Sequence, residues 1–156
     1  MKKLSLILVA VLLVVSSLLC VSCAKAEDKA VLKGYEDAPF VEYLEKACES
    51  MKKEAKKEGV KASYSIKSEE GWKNAIGLNS NYLSGAQKPV TYTLELKISE
   101  GKDSETNTIK FFMIFDTDTN LLDVAGGLMI EDGDYEMGDA DDVWGLIDNM
   151  FRYYID

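Results

Sequence analysis

The chain has 156 residues, 18 basic against 27 acidic, a formal charge of −9, three Cys and no His. That length is enough for one self-sufficient core and gives no reason to invoke two domains. Charge of this sign disfavours any partner recognised through its phosphates, so nucleic acid is set aside. Without His there is no Ser-His-Asp triad, no Cys-His pair and no imidazole metal ligand.

Lys2 and Lys3 precede an apolar run, Leu4 to Val15, interrupted only by Ser5. This is the plan of a secretory signal, and the run is short for a membrane-spanning helix, which wants about 20 apolar residues. The segment Leu19-Cys20-Val21-Ser22-Cys23 resembles the lipobox of bacterial lipoproteins, with small residues before the Cys that is acylated. It departs from the usual pattern in having Cys20 where Leu commonly stands. The resemblance covers the first 23 residues only. It implies a signal peptide over 1–22, a lipid on Cys23, and a domain outside the cytoplasm held on the outer or cytoplasmic membrane. A competing site, Ala24-Lys25-Ala26, would instead release a free chain beginning at Glu27. An uncleaved anchor is the third alternative.

Cleavage before Cys23 removes Lys2 and Lys3, leaving 16 basic residues against 27 acidic and a charge of −11. Cys48 is then the one thiol free of lipid, so no internal disulfide is expected. Residues 24–36 mix both charges with small residues at no sustained period and read as a tether.

A domain over 37–156 follows. Asp37 is expected to cap a helix with Pro39 in its first turn and Gly59 at its end. Phe40, Leu44, Ala47, Cys48, Met51 and Ala55 recur at three- and four-residue spacing, which places Cys48 on the buried stripe. Alternation then predicts strands through Ala62–Ile66, Val90–Ile98, Thr108–Phe115 and Leu121–Ile130. In the third, Phe112 and Ile114 fall on the face opposite Ile109, Phe111, Met113 and Phe115. Gly126-Gly127 in the fourth signals a bulge or a close backbone approach. A last helix starts at a cap on Asp139 and carries Val143, Leu146, Ile147, Met150, Phe151 and Tyr154 on one face. The expected fold is α+β, two-layered: a four-stranded antiparallel sheet in the order αββββα, with the N- and C-terminal helices on one face.

The connection 68–89 is too long for a plain loop. Its first part, "SEEGWKNAIG", reads as a short helix closed by Gly77, and the remainder, "LNSNYLSGAQKP", has the composition of adaptable binding loops. Trp72, Asn79, Asn81, Tyr82 and Ser84 are the candidate binding residues. The bland alternative folds Tyr82 onto the core and makes Trp72 a packing anchor.

Asp116, Asp118, Asn120 and Asp123 resemble the start of a calcium loop. The pattern fails at Leu121, where Gly is required, and at Gly127, where a bidentate Glu belongs. Turn chemistry explains the same residues. Asp132, Asp134, Asp139, Asp141 and Asp142 form a second acidic cluster, read as helix capping with weak divalent binding as the alternative. No metal, cofactor or catalytic residue is expected. The favoured expectation is a lipid-anchored binding or interaction module of the cell envelope, meeting an envelope protein or small ligand. The alternatives are a small carboxylate-dependent hydrolase and a weak calcium-binding envelope protein.

Overall fold

The computed structural model describes residues 25–131 and 133–155. The signal segment, Cys20, Cys23 and Asp132 lie outside the described residues. In chain order the elements are a 3-10 turn Ala26–Lys29, β1 Val31–Leu32, β2 Tyr35–Pro39, α1 Phe40–Lys57, β3 Lys61–Glu70, a 3-10 turn Ser80–Tyr82, β4 Gln87–Glu100, β5 Asp103–Asp116, β6 Leu121–Glu131, β7 Asp134–Gly138 and α2 Ala140–Tyr154.

The expectation of a four-stranded antiparallel sheet is overturned. The sheet has seven strands in the order β2-β1-β6-β5-β4-β3, with β7 also on β6, and it curls into a half-barrel. It is mixed, because β1 runs parallel to β6, Val31 opposite Leu121. The central ladder β3–β4–β5–β6 is the antiparallel meander read from the alternation. The three further strands are two to five residues long and carry residues that disfavour strands, among them Asp37, Pro39 and Asp134.

The tether expected over 24–36 is also corrected from Lys25 onward. Ala30 and Leu32 are fully buried, and the Val31 and Lys33 amides donate to the Asn120 and Leu122 carbonyls at 3.1 Å. Helix α1 begins at Phe40 rather than at a cap on Asp37, which lies in β2. The Asp37 carboxylate instead accepts from the Tyr43 hydroxyl, and this bond holds it below the usual carboxylate range. Gly59, with φ +77°, ends the helix region as the sequence suggests.

Both helices lie on one face of the half-barrel. The stripes read from periodicity are the buried ones: Phe40, Leu44, Ala47 and Cys48 on α1, and Val143, Ile147, Met150 and Phe151 on α2. Tyr43 joins them. Phe40 meets Tyr92 and Phe111 edge-on at 5.1 and 5.7 Å, and Tyr43 stacks on Phe151 at 4.9 Å. Such ring pairs add about 0.5–1.5 kcal/mol beyond their burial.

The start of α2 is held as expected. The Asp139 carboxylate accepts from the Asp141 and Asp142 amides at 3.0 Å, and Asp142 returns the favour to the Asp139 amide at 3.3 Å. Gly127 lets α2 approach the sheet. A Cβ there would stand 2.6 Å from Val143 Cγ2 and 2.9 Å from the Lys110 carbonyl.

Candidate functional site

The face of the sheet away from the helices is closed in part by the loop 71–86. The short helix expected over "SEEGWKNAIG" does not form: β3 continues to Glu70, and the chain then bends without helical hydrogen bonding. Ser68, Glu69 and Glu70 are drawn into the β3–β4 ladder opposite Tyr92, Thr91 and Val90. Gly71, at φ +92°, then turns the chain onto the far face.

Three side-chain hydrogen bonds pin the start of this loop. Thr91, fully buried on the far face, donates its hydroxyl to the Gly71 carbonyl at 2.6 Å and accepts from the Lys73 amide at 3.1 Å. The Trp72 indole N–H donates to the Met113 carbonyl at 2.9 Å. That carbonyl sits where the β5–β6 register shifts between Phe112 and Met113, so that Phe112 faces Gly126 while Met113 faces Val124. The expected bulge therefore falls at Ala125, beside the glycine pair, and loosens the ladder where the indole binds. Leu78 lies over Gly126, its Cδ1 3.9 Å from where a Cβ would be. Under this cover Phe112, which alternation turns away from the helices, is fully buried.

Beyond Leu78 the loop opens to solvent. Asn79 spends its side-chain oxygen on the Asn81 amide at 3.0 Å, capping the 3-10 turn. The Ser84 amide is taken by Gln87 Oε1 at 3.0 Å. Asn79, Asn81 and Ser84 are exposed, and Tyr82 is 87 % exposed. Tyr82 is thus not folded onto the core. Trp72 is half-buried and serves as the anchor rather than as an open platform. The structure adds Ile76, 68 % exposed on the same loop. Sequence reasoning missed it because a short helix was expected there.

A cleft of about 270 Å³ lies on the helix face between β5, β6, β7 and α2, lined by Ile109, Gly127, Met129, Glu136, Asp142 and Val143. Asp142 is committed to the α2 cap. Among the described residues, the carboxyl groups displaced from their ordinary pKa are shifted down rather than up. A Tyr43 hydrogen bond lowers Asp37, a Lys52 hydrogen bond lowers Glu49, and backbone donation from Thr119 lowers Asp116. A general acid at neutral pH needs the opposite shift. Burial pushes the Cys48 thiol up to about 12, with Glu49 and Glu45 adding to it, away from nucleophilic use.

Asp116 Oδ1 accepts from the Asp118 and Thr119 amides at 2.9 and 3.1 Å, which is turn chemistry. Asn120 takes the left-handed conformation at φ +62°. Among the described residues there is no group of three or more metal-ligating side chains, and no helix is long and apolar enough to cross a membrane. No protein-family model, curated protein or solved structure matches this chain.

Proposed function

We propose that the protein is a lipid-anchored binding or interaction module of the bacterial cell envelope, acting outside the cytoplasm and making its contact through the loop 71–86. The signal and lipobox-like segment ending at Cys23 supports the anchoring. The observation that carries the binding role is Tyr82, 87 % exposed on a loop whose base is pinned to the sheet by Trp72 and Thr91. A rigid base under an exposed ring lowers the ordering cost of a contact. Carboxylates displaced downwards give the hydrolase reading no support, and the turn at 116–120 gives the calcium reading none.

A photo-reactive residue placed at position 82 of the full chain, in its native envelope, tests the role. Tyr135, 68 % exposed on β7, is the matched control. A discrete adduct from position 82 and none from 135 is expected. No adduct at 82, or equal labelling at both positions, would overturn the assignment.

A further inference from the structure

Resting on the anchored-module reading, we infer that the target of the loop is the bilayer surface itself, with Tyr82 seated in the headgroup region at the end of the domain that carries the lipid anchor. The first ground is the missing tether. Lys25 Nζ donates to the Ser68 carbonyl at 2.9 Å, Asp28 accepts from the Ser68 hydroxyl at 2.5 Å, and the Glu27 carbonyl accepts from the Tyr92 hydroxyl. The chain is therefore bound to the sheet from Lys25 on, and the two residue steps back to Cys23 span at most about 7 Å. A lipid on Cys23 brings the domain down onto the membrane.

The second ground is which end of the domain comes down. Asn120 donates to the Lys29 carbonyl at 3.1 Å, and the Thr117 amide donates to the Ala86 carbonyl at 2.9 Å. Gln87 pairs with Asp116 across β4 and β5. The N-terminal turn, the 117–120 turn and the base of the loop at 84–87 thus share one end of the sheet, and Tyr82, two residues before Ser84, lies within about 7 Å of that base. The turn at 101–102 is at the other end of β4, whose 14 residues carry it about 45 Å away.

The third ground is the chemistry presented. Tyr82 is 87 % exposed, and an aromatic with one polar tip suits the membrane interface. At this end of the sheet exposed Lys25, Lys29 and Lys88 are offset by exposed Glu69, Glu70 and Asp118. Seating is therefore by ring burial rather than by charge. It needs no anionic lipid and resists salt.

The test uses the full chain, isolated with its lipid and reconstituted into phosphatidylcholine vesicles. An environment-sensitive fluorophore is attached at Tyr82→Cys or, as control, Lys102→Cys, with the unsubstituted chain giving the background. Expected are flotation with the vesicles, blue-shifted emission at position 82, and quenching by spin-labelled lipid at least about threefold stronger at 82 than at 102, unchanged in high salt. Equal weak quenching at both positions in a chain that floats would overturn this proposal and leave the anchored module standing. A chain that does not float would overturn both.

Discussion

The Trp72 indole donates to the Met113 carbonyl at the point where the β5–β6 ladder is interrupted by its bulge. This bond thus joins the loop to the sheet at a place where the sheet's own pairing is interrupted. Trp72→Phe keeps most of the ring and removes the donor, so it should cost about 1 kcal/mol. Trp72→Ala also uncovers Phe112 and should cost about 2–3 kcal/mol, below the range for a fully buried ring because Trp72 is only half-buried. Urea unfolding of the two variants checks both values and their order.

Gly127→Ala should destabilise by about 1–3 kcal/mol, because the new methyl meets Val143 and the Lys110 carbonyl. Adding Val143→Ala removes only the first clash. A double mutant cycle on thermal or urea unfolding should therefore show partial relief, with the strain against the backbone remaining.

Cys48 is buried, with its thiol pushed up to about 12. The folded protein should react slowly with a thiol reagent at pH 8 and rapidly once denatured. Equal rates in the two states would mean that α1 is rotated from its place. Cys48→Ser should cost about 1–2 kcal/mol through the buried hydroxyl and leave loop contacts unchanged.

Stability should fall on the alkaline side. Burial raises Tyr92 and, with the Glu49 hydrogen bond, raises Tyr64 to about 12, while a hydrogen bond to Asp148 raises Tyr35. These groups hold their protons more tightly folded than unfolded. Their contribution is complete below the unfolded value near ~10 and is lost as pH climbs towards the folded values. The lowered Asp37, Glu49 and Asp116 act oppositely: their contribution is present above the unfolded carboxylate range and is lost as pH falls through the folded values. Urea midpoints measured from pH 3 to 11 should form a plateau with a decline at each end.

The parts of the fold that were legible in the sequence are those with long, regular burial. Val90 to Ile98 alternate because one face of β4 meets the helices, and Val143 to Phe151 recur at helical spacing because α2 buries one stripe. The Asp139 cap and the glycine pair beside the bulge were local signals with a local cause. What escaped was tertiary. Val31 and Leu32 join the sheet because β6 offers a parallel edge, a partner 90 residues away that no window around them contains. Tyr35–Pro39 and Asp134–Gly138 are strands by adjacency rather than by propensity. At the loop, composition singled out Tyr82 but not what pins the loop's base, which is Trp72 reaching Met113, a contact across 41 positions.

Anchoring is tested most directly by the intact mass of the protein extracted from its native membrane. The expected species begins at Cys23, lacks Cys20 and carries the mass of added fatty acyl groups. A chain beginning at Glu27 with no acyl mass would contradict the anchored module, and with it the seating of Tyr82 at the bilayer.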